Sequence, residues 1–121
     1  MQFASVRIIT DDVPGLTGFY EALTGLEAQR VAPVFAVFAA PTGTLAIGDV
    51  VTAPFVDATN RSGSAAIVEF LVDDVEAAFA HAVTLGAEAV LEPATMPWGN
   101  RSAIVRDPAG TLVNLFRPPA A

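Results

Sequence analysis

Two stretches, Ser5-Val6-Arg7-Ile8-Ile9-Thr10-Asp11-Asp12-Val13 and Ile67-Val68-Glu69-Phe70-Leu71-Val72-Asp73-Asp74-Val75, run through one pattern 62 residues apart. Each is an apolar, strand-like run that ends on an Asp pair and opens a helix-like segment. A carboxylate at that junction accepts the orphan N–H groups of a helix start and meets the positive end of its dipole. Further on, Thr24-Gly25-Leu26-Glu27-Ala28 answers Leu85-Gly86-Ala87-Glu88-Ala89, with glycine where a helix stops in a left-handed residue. Pro41-Thr42-Gly43-Thr44-Leu45 then answers Pro108-Ala109-Gly110-Thr111-Leu112 at a spacing of 67. Three landmarks in one order make an internal duplication.

Outward from these landmarks each copy reads strand, helix and three strands. The first predicts strands at Phe3–Thr10, Ala28–Ala32, Val34–Ala39 and Thr44–Gly48, with a helix over Val13–Thr24. The second predicts strands at Ala65–Val72, Ala89–Glu92, Arg101–Arg106 and Thr111–Phe116, with a helix over Val75–Leu85. Asp107-Pro108-Ala109-Gly110 reads as a hairpin turn. Residues 1–121 form a single domain on this reading, module one over about 1–51, a linker over about 52–64 rich in small and polar residues, and module two over about 65–118.

Composition narrows the chemistry. At 121 residues and 53% hydrophobic the chain has enough apolar surface for a core without staples. It has no cysteine, so disulfides, thiolate metal sites and thiol nucleophiles are excluded; all six basic residues are Arg, so Schiff-base chemistry is excluded too. A net charge of −7 repels nucleic acid and favours neutral or cationic ligands in any unneutralised cavity, though it also serves plain solubility. No apolar run is long enough to span a bilayer, and residues 1–7 lack the basic-then-apolar order of an export signal. The expected location is cytoplasmic, with no membrane partner.

Several strings resemble the vicinal oxygen chelate superfamily, which includes glyoxalase I, the extradiol dioxygenases and the bleomycin-resistance proteins. They are Asp12 with Phe19-Tyr20 and Leu23-Thr24-Gly25; Val72-Asp73-Asp74-Val75; and Pro97-Trp98-Gly99-Asn100-Arg101 continuing through Val105-Arg106-Asp107-Pro108-Ala109-Gly110 to Leu112-Val113-Asn114-Leu115-Phe116. The last is similar to the C-terminal segment of the bleomycin-resistance branch. The resemblance implies an α+β fold: two tandem βαβββ modules forming an open, U-shaped, β-barrel-like sheet with helices outside, assembled as a homodimer. Its metalloenzymes carry metal ligands on the first and last strand of each module. Those positions fall on Ser5 and Ile47 in module one and on Ile67 and Asn114 in module two, without the family's His and Glu. Such a set is a poor site for a divalent transition metal, and the sole histidine, His81, lies mid-helix. The expectation is a site with neither metal nor cofactor.

Strand alternation then nominates what replaces the metal. With Ser5 facing the cavity, Arg7 and Ile9 face it too, and by the same parity so do Ile67 and Glu69. Leu112, Asn114 and Phe116 join them from the last strand, with Ile47 from module one. Trp98 and Asn100 sit in the loop before a strand, where an aromatic either covers a ligand or plugs a core or subunit contact. Arg7 and Glu69 occupy equivalent places and have three readings: mutual neutralisation, orientation of a polar ligand, or Glu69 as general base beside an electrophilic Arg7. The leading function is metal-independent binding or sequestration of a small, largely apolar or aromatic molecule, an antibiotic-resistance type of protein. The alternatives are a metal-independent isomerase, cyclase or lyase using Glu69 and Arg7, and a subunit or regulatory module that binds nothing.

Overall fold

The computed structural model describes residues 1–53 and 66–119. The chain divides into two compact units, Met1–Ser62 and Gly63–Ala121. Most of the predicted linker lies outside the described residues. Both units have the predicted order of elements: β1 (Val6–Thr10), α1 (Val13–Thr24), β2 (Gln29–Ala32), β3 (Phe35–Ala40) and β4 (Gly43–Asp49) in the first. In the second these are β5 (Ile67–Leu71), α2 (Val75–Thr84), β6 (Glu88–Thr95), β7 (Arg101–Arg106) and β8 (Leu112–Arg117). A short 3-10 turn, Val50–Thr52, follows β4. The sheets are mixed and unclosed, in order β1-β4-β3-β2 and β5-β8-β7-β6, each with its first strand parallel to its last. No helix among the described residues is long and apolar enough to cross a membrane.

The duplicated Asp pair does what its place in sequence implies. Asp12 Oδ1 accepts from the Gly15 amide and Asp74 Oδ1 from the Ala77 amide, each at 3.0 Å. Both helices run out into glycines with positive φ, 73° at Gly25 and 101° at Gly86. Each helix covers one face of its own sheet. In the first unit Leu16, Phe19 and Tyr20 bury against Ile8, Ala36, Phe38 and Ile47, with Tyr20 edge-on to Phe19 at 5.1 Å and to Phe38 at 6.4 Å. In the second, Val75 and Ala82 bury with Ala103, Val105, Val113 and Leu115.

The β-ladders correct one predicted orientation. Paired residues on neighbouring strands share a face, and β1 pairs Ile8 with Ile47 and Arg7 with Ala46. Ile47 is fully buried on the helix-covered face, opposite Arg7, and is not a residue of Arg7's wall. The cause is a one-residue difference between the two hairpins. Ala40 pairs with Gly43 across a two-residue Pro41-Thr42 turn, whereas beyond the Arg106–Leu112 pair the Asp107 amide bonds the Thr111 carbonyl and leaves a three-residue turn, Pro108 to Gly110. Matching Pro41-Thr42-Gly43 to Pro108-Ala109-Gly110 therefore puts β4 out by one residue, which exchanges its faces. In the true register Ala46 corresponds to Asn114, and Ile47 to the equally buried Leu115.

Candidate functional site

The face of the second sheet turned away from α2, uncovered by its own helix, is built in three rows across β5, β8 and β7. Leu71, Phe116 and Ser102 form one row; Glu69, Asn114 and Ile104 the next; Ile67, Leu112 and Arg106 the third. Alternation puts these side chains opposite Val113, Leu115, Ala103 and Val105, the apolar set beneath α2. The predicted Ile67, Glu69, Leu112, Asn114 and Phe116 are thus brought onto one face. Leu71, Ser102, Ile104 and Arg106 share it and were not anticipated, although the same alternation read along β7 reaches the last three.

At the centre of this face Asn114 Nδ2 donates a 2.8 Å hydrogen bond to Glu69 Oε2. That bond orients the amide and leaves Asn114 Oδ1 pointing elsewhere, buried and without a hydrogen-bond partner among the described residues. A buried acceptor in that condition carries an unrecovered desolvation cost, and a donor brought to it would recover that cost. Glu69 itself is exposed, as are Ile67 and Leu71. One carboxylate and one unanswered carbonyl oxygen therefore stand among aliphatic and aromatic side chains.

The first unit's uncovered face has the same plan with different contents. Its rows are Ile9, Gly48 and Phe35, then Arg7, Ala46 and Val37. Arg7 is exposed and Ile9 half-buried. Gly48 has no side chain because there is no room for one: a Cβ there would lie 2.6 Å from Thr52 Oγ1, 3.4 Å from Arg7 Cδ and 3.5 Å from Phe35 Cδ1. The Thr52 hydroxyl is committed to the Asp49 carbonyl at 2.7 Å. Of the two phenylalanines on β3, Phe38 belongs to the core with Tyr20 and Phe35 to this face. Ser5 is exposed and precedes β1. Trp98 and Asn100 lie in the turn between β6 and β7, which is closed by the Met96 amide on the Asn100 carbonyl at 2.7 Å; Trp98 is 69% exposed. That turn adjoins the Leu71, Phe116 and Ser102 row, one row from Glu69 and Asn114.

Residues 2–115 match the Glyoxalase/Bleomycin resistance protein/Dioxygenase superfamily. The chain belongs to this superfamily. Curated relatives from Mycobacterium bovis and Mycobacterium tuberculosis, both named "Putative glyoxylase CFP32", are 28% identical over 114 residues. That is 93% of this chain and 42% of each relative, so the chain spans less than half of their length. Among solved structures, a glyoxalase-related enzyme from Fulvimarina pelagi superposes with a TM-score of 0.84 at 17% identity, covering 97% of this chain and 88% of that one. A glyoxalase/bleomycin resistance protein/dioxygenase family enzyme from Burkholderia phytofirmans PsJN gives 0.81 at 17% identity, covering 94% and 96%. Against this superfamily's metalloenzymes the donor set is deficient. Ser5, Ile67 and Asn114 stand at three of the implied positions, and on β4 neither the buried Ile47 nor Ala46 beside Arg7 offers a donor. Among the described residues no three His, Cys, Asp or Glu side chains gather as a metal site. These residues do not fit a divalent transition metal.

Proposed function

We propose that this superfamily member binds and sequesters a small, largely apolar or aromatic molecule without a metal ion, as a drug-resistance type of binding protein. The second sheet's uncovered face carries the reading. It sets the hydrogen-bonded Glu69 and Asn114 within Ile67, Leu71, Ile104, Leu112 and Phe116, and small-molecule sites combine a few convergent polar groups with an apolar wall. The exposed Glu69 carboxylate offers the acceptor to a ligand, and Asn114, bonded to it through Nδ2, holds it in place. The ligand's polar end is therefore a donor, best a cationic one in a chain of net charge −7. Ser5, Arg7, Ile9, Trp98 and Asn100 are the further ligand contacts of this proposal. The working protein is a cytoplasmic homodimer.

A second reading has Glu69 acting as a general base in a metal-independent isomerisation, cyclisation or elimination, with Arg7 stabilising the negative charge that develops. It is favoured by the exposure of the Glu69 carboxylate and by its anchoring through one amide hydrogen bond. A thermal-shift screen of cationic aromatic compounds, run with and without chelator, separates the readings, because a ligand that binds only the folded state raises the melting temperature. Sequestration predicts stabilisation that the chelator does not alter, with the compound recovered unchanged, and Glu69→Gln weakens that binding. Catalysis predicts conversion of the compound, with Glu69→Gln losing turnover while binding is largely kept. Absence of stabilisation across the screen would favour a subunit that binds nothing.

A further inference from the structure

The other face of the second sheet has a row of its own at its far end. Thr95, Arg101 and Arg117 pair across β6, β7 and β8, on the face that carries α2. Two cations stand directly opposite each other on adjacent strands, an arrangement that costs energy unless an anion answers it. One carboxylate does so in part. Glu76, in the first turn of α2, takes Arg101 Nε at 2.8 Å and Arg101 Nη2 on the same oxygen, while Arg101 Nη1 donates to Thr95 Oγ1 at 3.2 Å. Arg101 is thereby committed and oriented. The Arg117 side chain is exposed and makes no hydrogen bond among the described residues, though its charge helps to lower the Glu76 carboxyl.

The Thr95, Arg101 and Arg117 side chains line a cleft of about 390 Å³ whose remaining walls are Gly99, Pro118 and Pro119. The wall is stiff. Gly99 has φ 100°, and a Cβ on it would lie 3.1 Å from Pro119 Cβ, so backbone and proline ring meet directly. Two guanidinium groups line the cleft, and the one carboxylate tied to them, Glu76, is bound to Arg101, so the local charge is about +1 inside a chain of net charge −7. A monoanion matches that local balance, whereas a dianion would exceed it and meet the repulsion of the whole chain. Guanidinium groups bind carboxylates through planar, paired hydrogen bonds. The proline rings supply an apolar surface for the body attached to such a group.

We infer that the Arg101 and Arg117 cleft is a second ligand site, separate from the Glu69 face, that takes a small organic carboxylate with its oxygens on Arg117 and its apolar body against Pro118 and Pro119. It is read by titrating sodium benzoate into the labelled protein at constant ionic strength and following the Arg101 and Arg117 Nε–Hε signals with the Thr95 and Gly99 amides. The expected result is saturable movement confined to this group, weakened about tenfold or more by Arg117→Gln through loss of one charge-assisted pair. Arg106→Gln removes the same charge from the opposite end of β7 and leaves the titration unchanged. The inference is overturned by linear, unsaturated shifts, by an equal response to inorganic phosphate, or by equal weakening in the Arg106 and Arg117 variants, each of which marks general charge attraction in place of a site.

Discussion

The β3–β4 and β7–β8 hairpins carry nearly the same letters and fold as different turns. Pro41 and Thr42 span the first by themselves. The second adds one bond beyond the end of its ladder, the Asp107 amide on the Thr111 carbonyl at 2.8 Å, and the buried Asp107 Oδ1 accepts from the Ala109 and Thr111 amides. Gly110 takes φ 91°, a conformation open to glycine, while Gly43 is not among the described glycines with positive φ. One residue of loop reverses the direction of every side chain on the strand that follows. The two copies thus diverge most where they look most alike: the uncovered face of one carries Arg7, Ala46 and Gly48, and that of the other Glu69, Asn114 and Phe116. Duplication kept the scaffold, and the turn decided which residues of the last strand were available for ligands.

The core contrast between the units is the largest in energy. Tyr20 and Ala82 occupy equivalent helix positions, 62 residues apart, and both are fully buried. Tyr20→Ala is expected to cost roughly 3–5 kcal/mol, since the ring's contacts with Phe19 and Phe38 would be replaced by a cavity. The reverse exchange breaks the other unit: Ala82→Leu is expected to cost about 1–3 kcal/mol by overpacking. Urea denaturation of both variants checks this. Equal tolerance of large and small side chains at the two positions would show that the helices do not seat differently on their sheets.

Next comes the turn itself. Asp107→Ala strips the acceptor from two amides of the turn and is expected to destabilise by about 1–3 kcal/mol. Asp107→Asn retains an oxygen in that place and should recover most of the loss. Ala40, the equivalent residue of the first unit, has no such duty, so Ala40→Ser should leave stability within about 0.5 kcal/mol of the parent. A loss at Ala40 matching that at Asp107 would mean the two turns are held alike.

Short-range signals are legible in the sequence and turn-dependent ones are not. α1 and β7 fall on their predicted bounds, because each has a cap, a glycine stop or a clear alternation inside its own few residues. The faces of β5 and β8 were readable for the same reason, and Glu69 and Asn114 do meet. The direction of Ile47 is not legible in the sequence, because it depends on the count of residues in a turn and Pro-x-Gly-Thr-Leu occurs in both turns. The unpaired Asn114 Oδ1 and the pairing of Arg101 with Glu76 were not readable either. Both arise from side chains 25 or 45 residues apart in sequence, brought together only by the sheet and the helix laid on it.

The smallest expected effect is electrostatic, and it separates the two helices by the end at which each is tied down. α2 is held at its first turn by Glu76 on Arg101. α1 is held near its last turn, where Glu21 receives both Arg30 Nη groups, at 2.9 and 2.7 Å, and the Ala28 amide at 3.0 Å. The Arg30 hydrogen bonds, helped by the Ala28 amide, push the Glu21 carboxyl down from 4.5 to about 2. Glu76 is lowered as well, first by its hydrogen bonds with Arg101. A carboxyl lowered in the folded state contributes stability that is fully present above its unfolded pKa and is lost as pH falls through its folded one. For Glu21 that window runs from 4.5 down to about 2. The melting temperatures of the parent and of Glu21→Gln should therefore differ most near neutral pH and converge as the pH approaches 2. Because the pair is at the surface, added salt should shrink the difference. A difference that stays constant across the acid range would show that the glutamine disturbs packing and that the charge contributes nothing.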